Sequence, residues 1–449
     1  MKAFAQPSLN VDVVEAGHFP RAGRLPCTIE TNISFNTHDL ESYCVADWDP
    51  VVFDAMVVAG AVEFCDRSKL RPSMGWSRVL SVSVPVHDPD RWGMAADSLR
   101  SALDLLTGDS WDISFRKRTE VVPRPREQRF NLPAGEGAVL PFSDGMDSFL
   151  VASLMSLELG DRLMRVRLGS KGWTSRRLER DPFASVPYSV RPNEGVRWPE
   201  SSARSRGFKF AMLSGIAAHL SGATRVVMPE SGQGALGTWL VPVGHAYEDY
   251  RNHPTFTRRM EVFLGQLFGR HPRFVFPRLW STKGETLAEY LARFGGDEWH
   301  ETWSCWRRSS WTAVQHRKRQ CGICAACLLR RMSVHATGEE EDSRVYVWER
   351  LNSTTFSAGA ARGFEKINRS YKEYAIAGAL HLDHLASLPE SQFGVRQLPR
   401  RAQELARTLG VLPQDARRSL DRMLLRHAKE WSDFVGGLGP RAFLSAWAA

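Results

Sequence analysis

Apolar and polar positions first indicate a region of mixed helices and strands in the N-terminal part of the chain. Apolar residues recur with helical spacing over residues 49–65 and again over residues 95–106. Residues 79–86 alternate between apolar and polar as a half-buried strand does, and the Trp-x-Ile-x-Phe run at 111–115 has the same period. We therefore predict an N-terminal α+β domain over residues 1–132.

The pattern changes after a stretch of prolines and glycines at 123–137, which indicates a linker. A short apolar strand then leads into the loop Ser-Asp-Gly-Met-Asp-Ser (143–148), and a helix follows that ends at Gly160. Further along, strands near 164–168, 187–191 and 225–228 alternate with helices such as 206–220. This alternation predicts a doubly wound parallel sheet with helices on both faces, in an α/β domain over residues 133–340. Such sheets bind ligands at the carboxyl ends of their strands, and the 143–148 loop follows one of them.

The last part of the chain is mostly helical by pattern, for example over residues 403–409 and 414–434. We predict a helical C-terminal extension over residues 341–449. The longest apolar run, from Val51 to Phe64, contains two acidic residues and is too short to cross a bilayer. The first residues also lack the apolar core of a signal peptide, so we expect no membrane partner and a cytoplasmic protein.

Composition adds two constraints on function. The chain of 449 residues carries 59 lysines and arginines against 50 aspartates and glutamates, a formal charge of +9. This excess suits an anionic ligand such as ATP and is compatible with nucleic acid, but a solvated basic surface explains it equally well. The seven cysteines are an odd number, which argues against a disulfide framework.

Four of the cysteines are clustered. Cys305 is followed by Cys321, Cys324 and Cys327 in two overlapping Cys-x-x-Cys units. Four thiolates suit tetrahedral zinc, and such a closed coordination sphere predicts a structural metal that helps its segment to fold. A redox Cys-x-x-Cys pair is the alternative, although it leaves the other cysteines unexplained. The remaining cysteines lie among apolar neighbours and are expected to be buried thiols: Cys27, Cys44 and Cys65.

The 143–148 loop is the candidate nucleotide site. It lies between a predicted buried strand and a predicted helix, and the N–H groups at the start of a helix, with its dipole, favour phosphate binding. Gly145 lets the backbone approach a ligand, and the hydroxyls of Ser143 and Ser148 can donate hydrogen bonds. An ordinary turn before a capped helix is the alternative interpretation.

The loop resembles the Ser-Gly-Gly-x-Asp-Ser signature of the PP-loop ATP pyrophosphatase family. Members of that family cleave ATP between the α- and β-phosphates and transfer AMP to an oxygen of the substrate. The resemblance implies an ATP site formed by Ser143, Asp144, Gly145, Met146, Asp147 and Ser148. Asp147 would then be a ligand of Mg²⁺. Asp144 stands where the family usually has glycine, and Asp tolerates unusual backbone angles better than most residues do.

The cysteine segment narrows the resemblance. The Thr-Trp-Ser-Cys run that ends at Cys305, with the Cys-Gly-Ile-Cys-Ala-Ala-Cys-Leu-Leu-Arg run at 321–330, is similar to the corresponding pattern of the QueC family. Those PP-loop enzymes make 7-cyano-7-deazaguanine. They adenylate 7-carboxy-7-deazaguanine, let ammonia attack, and dehydrate the amide with a second ATP. Their zinc site shapes a wall of the substrate pocket, and the resemblance covers residues 138–335.

The segment between Cys305 and Cys321 has 15 residues, which is longer than usual for the QueC family. It contains the basic residues Arg307, Arg308, His316, Arg317, Lys318 and Arg319. A basic flap over an anionic ligand or partner and a solvated loop explain this insert equally well.

Three further segments fit the resemblance, each with a simpler alternative. Arg206 begins the long predicted helix where QueC-like chains carry an arginine facing the ATP phosphates, with Arg204 as second candidate; a surface arginine is the alternative. The Thr-Lys-Gly-Glu run at 282–285 resembles a family segment in which Lys283 would neutralise charge on the transferring phosphate, unless it is simply solvated. The run Glu-Ser-Gly-Gln-Gly-Ala-Leu-Gly at 230–237 follows a strand and is expected to line the pocket, with glycines that permit close approach, or to be a plain loop.

The resemblance implies an ATP-dependent ligase that forms a C–N bond and releases AMP and pyrophosphate, with ATP, Mg²⁺ and Zn²⁺ as cofactors. Its catalytic residues would be Asp147, Lys283 and Arg206. The layout, a core with long regions before and after it, resembles that of the QatC-type, QueC-like proteins of antiphage defence. This resemblance implies that an amine of a protein encoded nearby replaces ammonia as the acceptor. Two alternatives stay open: a PP-loop enzyme acting on tRNA or DNA, and a non-catalytic ATP-binding subunit of a defence complex, disabled by Asp144.

Overall fold

The computed structural model describes residues 8–37, 40, 49–72, 75–120, 136–169, 183–242, 246–307 and 312–448. Three sequence predictions fall outside these ranges: most of the linker (123–135), Cys44 and Arg308. The chain divides into two compact units, each built from several segments. The first unit comprises Met1–Ser143, Met155–Met228 and Asp249–Phe276, and the second comprises Asp144–Leu154, Pro229–Glu248 and Pro277–Ala449. The predicted boundary at residue 340 falls inside the second unit.

The first unit begins with a parallel sheet and two helices. Its elements are β1 (Ser8–Val14), β2 (Leu25–Thr28), β3 (Ile33–Phe35), α1 (Val51–Ser68), β4 (Val79–Val86), α2 (Pro89–Thr107) and β5 (Ser110–Lys117). The strand order is β2-β1-β4-β5, and every neighbouring pair is parallel. The predicted α+β class is therefore wrong for this region, which has α/β character. The helices α1 and α2 return the chain to the end of the sheet at which the strands begin, so the strands that follow them run parallel to their neighbours.

A second parallel sheet also belongs to the first unit, although two stretches of chain between its strands, residues 144–154 and 229–248, belong to the second unit. The chain continues through β6 (Ala138–Pro141), α3 (Met146–Leu159), β7 (Leu163–Leu168), β8 (Phe183–Val186), β9 (Tyr188–Val190), α4 (Arg206–Ser221), β10 (Arg225–Val227), α5 (Gly232–Leu240), α6 (Pro254–Phe268) and β11 (Arg273–Val275). The strand order is β11-β10-β6-β7-β8, again with parallel neighbours throughout. The prediction of an α/β domain with a parallel sheet is thus confirmed.

The order of this sheet reverses beside its first strand. The chain adds β7 and β8 on one side of β6 and later adds β10 and β11 on the other side. The first three residues of β6 are fully buried, as expected for a central strand with helices on both faces. In open parallel sheets, ligands bind outside the carboxyl ends of the strands that flank such a reversal. The segments that follow β6 and β10 along the chain are the 143–148 loop and the 230–237 run.

One predicted strand has a different role. Residues 187–191 were expected to form the third parallel strand, but that strand is β8, at Phe183–Val186. Pro187 has no N–H group to continue the ladder, so the pairing with β7 stops before it. The chain then forms β9, which pairs antiparallel with β3.

The second unit is largely helical. Its later elements are α7 (Lys283–Phe294), β12 (Ala313–Val314), β13 (Arg317–Lys318), α8 (Ala325–Thr337), α9 (Arg369–Ser387), α10 (Gln392–Leu409) and α11 (Pro413–Leu438). The predicted helical C-terminal region is therefore confirmed. Its apolar side chains share a core with the cysteine segment, including Cys321, Trp348, Tyr371, Trp431 and Phe443. Among the described residues, no helix has the length and apolar character that a membrane span requires.

Candidate functional site

The four clustered cysteines form a candidate metal centre in the second unit. Their sulfur atoms all lie within 4.8 Å of one another, and Cys321 Sγ lies 3.8 Å from Cys327 Sγ. A tetrahedral zinc ion with Zn–S bonds of about 2.3 Å requires sulfur separations of about 3.8 Å. The donor set therefore fits a metal such as zinc, held by Cys305, Cys321, Cys324 and Cys327.

The local backbone prepares these sulfurs as ligands. Backbone N–H groups donate to three of them: Cys321 N to Cys305 Sγ (3.3 Å), Cys324 N to Cys321 Sγ (3.3 Å) and Cys327 N to Cys324 Sγ (3.4 Å). Such bonds favour the thiolate form. Burial nevertheless raises the pKa of Cys321 and of Cys327 well above the ordinary value. Full deprotonation of the cluster therefore calls for a bound cation, and metal binding would release protons.

Helix α8 connects the metal centre to the Thr-Trp-Ser segment. Arg330, on α8, is fully buried, and its guanidinium donates to Thr302 Oγ1 (2.6 Å), to the Trp299 carbonyl (3.2 Å) and to Glu341 (2.6 Å). A planar guanidinium suits such a set of convergent acceptors, whereas a lysine ammonium does not. The arginine in the Cys-x-x-Arg part of the pattern thus holds the segment that leads to Cys305.

The same segment contacts the candidate nucleotide loop. The N–H of Trp303 donates to the carbonyl of Asp144 over 2.7 Å. Asp144 is buried and has a φ of +59°, in the left-handed region that favours glycine. The expectation that aspartate can adopt the turn in place of glycine agrees with this conformation. Arg330, Thr302 and Trp303 therefore link the metal centre to the loop at Asp144.

The loop continues directly into α3. Met146 opens the helix and is fully buried, and the Ser148 hydroxyl donates to the Gly145 carbonyl at 3.0 Å. Ser143 is the last residue of this stretch that belongs to the first unit. The first turn of a 14-residue helix thus begins two residues after the left-handed Asp144, and the backbone N–H groups and the positive end of the helix dipole lie at this point.

Two predicted catalytic residues meet in the second unit. Lys283 Nζ lies 2.6 Å from Asp147 Oδ2, and the lysine side chain is 5% exposed. The Thr-Lys-Gly-Glu run is a capping box: Thr282 Oγ1 accepts from the Glu285 N–H (3.1 Å), and Glu285 accepts from the Thr282 N–H (2.9 Å). Because this cap makes Lys283 the first residue of α7, the local sequence fixes the backbone position from which the lysine side chain extends. The alternative of a solvated lysine is excluded by its burial.

The 230–237 run forms the start of helix α5, not a plain loop. Ser231 caps it by accepting from the Gly234 N–H (3.4 Å). A Cβ at Gly232 would lie 2.4 Å from the Leu279 carbonyl oxygen and 2.9 Å from Met423. This glycine therefore accommodates protein atoms, whereas the sequence suggested that it accommodates a ligand. Gln233 is buried, and its Oε1 accepts from the backbone N–H of Lys283 at 2.8 Å.

Arg206, the third predicted catalytic residue, lies in the first unit. It is exposed at the first position of α4, with its guanidinium 5.3 Å from the centre of the Phe210 ring. Arg204 is less exposed and lies 3.9 Å from Asp249, and burial lowers its pKa, an effect that Asp249 opposes and Arg251 reinforces. A carboxylate lies at the same end of α4, because Asp66 accepts from the Ser205 N–H at 2.8 Å, so this helix N-terminus carries charges of both signs.

The described part of the basic insert forms a short hairpin. Strands β12 and β13 pair antiparallel, and the turn residues Gln315 and His316 both have positive φ. His316, Arg317 and Lys318 are exposed. At the base of the insert, Arg307 stacks on the rings of Tyr371 and Tyr374, with its guanidinium carbon 4.5 Å and 4.4 Å from their centres.

Sequence reasoning missed two buried polar residues on α11 that contact Gln233 and Thr282. His427 is fully buried and lies 2.9 Å from Gln233 Nε2, and Glu430 accepts from Thr282 Oγ1 at 2.7 Å. Both occupy positions on the apolar face of the helix, beside Leu424 and Trp431. Polar residues at apolar positions were the available signal. In comparisons with known proteins, no family model, no curated protein and no solved structure matches this chain.

Proposed function

We propose that this protein is a QueC-like, ATP-dependent ligase that adenylates a carboxylate such as 7-carboxy-7-deazaguanine and transfers the acyl group to an amine. The observation that carries the proposal is the ion pair of Asp147 and Lys283 at the start of α3, beside a loop whose second residue has the left-handed conformation of a glycine. The hydrogen bond between that loop and the Thr-Trp-Ser-Cys segment supports it, because the two sequence patterns that resemble the QueC family are joined in space.

The residues take distinct roles in this proposal. The N-terminus of α3 binds the phosphates, and Lys283 neutralises negative charge that accumulates during transfer. Asp147, which contacts Lys283 through Oδ2, would hold Mg²⁺, and the ion when bound would neutralise phosphate charge. The resemblance to the QueC family also implies a role toward the ATP phosphates for Arg206, with Arg204 as second candidate.

The reaction proceeds in two displacements. An oxygen of the substrate carboxylate attacks the α-phosphorus of ATP, the bond to the β-phosphate breaks, and pyrophosphate leaves. The amine then attacks the carbonyl carbon of the acyl-adenylate, loses a proton, and expels AMP. Holding the reactants together supplies much of the acceleration, because it converts bimolecular steps into reactions within one complex.

The acceptor amine is ammonia or a protein amine. The resemblance to QatC-type defence proteins favours a protein acceptor encoded nearby, and a role in antiphage defence. The net charge of +9 is consistent with the anionic substrates ATP and carboxylate. The alternatives, an enzyme acting on tRNA or DNA and a non-catalytic ATP-binding subunit, are outcomes of the same experiment.

The test is to incubate the zinc-loaded protein with Mg-ATP, 7-carboxy-7-deazaguanine and ammonium and to analyse the products by mass spectrometry. We expect AMP together with 7-amido- or 7-cyano-7-deazaguanine. AMP that forms only when a candidate protein is added would identify a protein acceptor. AMP formed only with tRNA or DNA would replace the proposal by nucleic-acid modification, and absence of AMP with every acceptor would leave a binding subunit.

A further inference from the structure

The last long helix, α11, contacts the beginning of α7, where Lys283 lies. His427 and Glu430 are three residues apart on α11 and therefore lie on one face of it. Both are buried, with exposures of 0% and 2%. Glu430 accepts from Thr282 Oγ1 at 2.7 Å, and a Cβ at Gly284 would approach Glu430 Oε1 to 2.8 Å. The glycine of the Thr-Lys-Gly-Glu run thus permits the close approach of α11.

A chain of hydrogen bonds runs from α9 through α11 to Lys283. His427 Nε2 lies 2.9 Å from the Leu382 carbonyl, which can only accept, so Nε2 carries the proton. The Lys283 N–H can only donate, so Gln233 presents Oε1 to it, at 2.8 Å. Gln233 Nε2 must therefore donate to His427 Nδ1, across 2.9 Å. The Leu382 carbonyl at one end of this series of hydrogen bonds and the Lys283 N–H at the other thus fix the orientation of the His427 ring and of the Gln233 amide.

The arrangement requires a neutral imidazole. Burial lowers the pKa of His427 to about 4, and the nearby His381 adds to this effect while the bond to the Leu382 carbonyl opposes it. A proton on Nδ1 would point at Gln233 Nε2, which is itself a donor, and would force the amide group to flip. The flipped amide would then present its NH₂ group to the Lys283 N–H, so that two donors would face each other. Neutral His427 is thus the form that supports the start of α7.

We propose that α11 is a positioning element of the nucleotide site, in which His427 acts through Gln233 to fix the first turn of α7 and hold the Lys283 ammonium against Asp147. The role of Lys283 toward ATP rests on the proposed function, but the positioning itself does not. The C-terminal region therefore supports the candidate nucleotide site through the contacts of α11. Its removal would leave the first turn of α7, and with it Lys283, without these contacts.

Two substitutions at the same position separate the two ring nitrogens. In H427N the amide oxygen can replace Nδ1 as acceptor for Gln233, whereas in H427Q the amide nitrogen can replace Nε2 as donor to Leu382. The relay from Gln233 to Lys283 should therefore survive in H427N and fail in H427Q. Q233L removes the middle group altogether and should behave like H427Q.

Acetylation of lysines by sulfosuccinimidyl acetate, followed residue by residue with peptide mass spectrometry, tests this without ATP. Lys283 should react slowly in the wild type and in H427N, and about tenfold faster in H427Q and Q233L, as expected for loss of one buried hydrogen bond. Lys429, 66% exposed, and Lys209, a partly buried lysine of the first unit, should react alike in all four proteins.

Three results would overturn the proposal: equal reactivity of Lys283 in all variants, equal reactivity of H427N and H427Q, or faster reaction of Lys209 together with Lys283, which marks general unfolding. In a parallel titration, Mg-ATP should bind H427Q more weakly than H427N. If no protein binds Mg-ATP while the acetylation pattern holds, the proposed function fails and the positioning role stands.

Discussion

At the scale of single residues, the candidate site depends on a few side chains and one unusual backbone angle. Asp144 adopts a φ of +59°, and its carbonyl accepts from Trp303. Lys283 is buried and paired with Asp147 at 2.6 Å. A buried ammonium and its partner are expensive to desolvate, so this ion pair is not expected to contribute much to the stability of the fold.

The pair predicts a specific loss of activity. K283M and D147N should each lower the rate of AMP formation by about 10²- to 10³-fold, because each removes a group that stabilises the transferring phosphate or its metal. K429M is the matched control: Lys429 is 66% exposed and pairs with Asp433 on the surface, so the rate should stay unchanged. AMP formation by K283M at the wild-type rate would remove Lys283 from the site.

The backbone at Asp144 predicts an order of stabilities. Glycine adopts a positive φ without the steric conflict of a Cβ, so D144G should be more stable than D144A by about 1 kcal/mol. Comparing these two variants cancels the loss of the carboxylate, which both lack. Urea unfolding measures the difference, and a D144A protein as stable as D144G would contradict the left-handed conformation.

At the scale of elements, the short sequence patterns correspond to helix caps and hydrogen bonds in the structure. The Thr-Lys-Gly-Glu run caps α7, and the Cys-x-x-Cys units lead into α8, where Cys324 caps the helix. Arg330 then donates to Thr302, next to the residue that contacts the candidate nucleotide loop, and so connects α8 to this segment. The metal centre and the loop are therefore connected by a continuous set of hydrogen bonds within the second unit.

Arg330 should be indispensable for this part of the fold. R330M leaves the buried Glu341 carboxylate with the Tyr346 hydroxyl as donor but without its cationic partner, and we expect a loss of about 3 kcal/mol in the free energy of unfolding. R330K should also destabilise the protein, because an ammonium group cannot reach the same acceptors. Removing the stranded acid as well, in R330M/E341L, should recover part of the loss. A double variant no more stable than R330M would contradict this explanation.

The cysteine cluster predicts one zinc ion per chain. Elemental analysis of C324S should show loss of the metal and thermal denaturation should show a lower Tm, since a structural zinc ion stabilises the segment that it joins. C27A removes a buried cysteine of the first unit that lies outside the cluster, and it should retain zinc. Loss of zinc in C27A but not in C324S would show that the cluster is not the metal site.

At the scale of the whole molecule, the chain builds each unit from separate segments. Residues 144–154 and 229–248 belong to the second unit although the residues around them belong to the first. The cysteine segment shares its core with α9 and α11, through residues such as Tyr371 and Trp431. A fragment that ends at residue 340 would therefore lose much of the apolar surface that covers the metal centre, and we expect it to aggregate.

Buried His427 predicts how global stability responds to pH. Its pKa is lowered from an ordinary value of 6.5 to about 4, so between these pH values the unfolded chain binds more protons than the native one. Stability due to this residue is therefore present above pH 6.5 and is lost as pH falls to 4, by up to about 3 kcal/mol. Urea unfolding across this range should show a smaller decline for H427N, and an identical decline would contradict the neutral buried imidazole.

Much of the fold follows from the sequence, because alternating strands and helices predict parallel sheets. The exceptions have local causes. Pro187 ends the pairing of β8 with β7. The glycines at 232 and 237 obscured the helical pattern of α5, because these positions serve close packing against Met423 and His381. The parallel N-terminal sheet was not apparent, because the order in which strands pair is a long-range property.

The candidate site was predictable only where its residues are close in sequence. The cysteines, Asp147 and Lys283 belong to short patterns that resemble a family. His427 and Glu430 lie far along the chain from the residues that they contact, and only their polar character on an apolar helix face marked them. No spacing rule connects Gln233 with His427, so their contact had to come from the structure.

Transfer of oxygen from substrate to AMP is the most direct test of carboxylate activation. The protein would be given Mg-ATP, ammonium and 7-carboxy-7-deazaguanine labelled with ¹⁸O in its carboxylate, and the AMP would be analysed by mass spectrometry. Adenylation predicts one ¹⁸O atom in the phosphate of AMP, because the labelled oxygen stays with phosphorus when the amine expels AMP. Unlabelled AMP, or ADP with label in inorganic phosphate, would contradict the proposed chemistry.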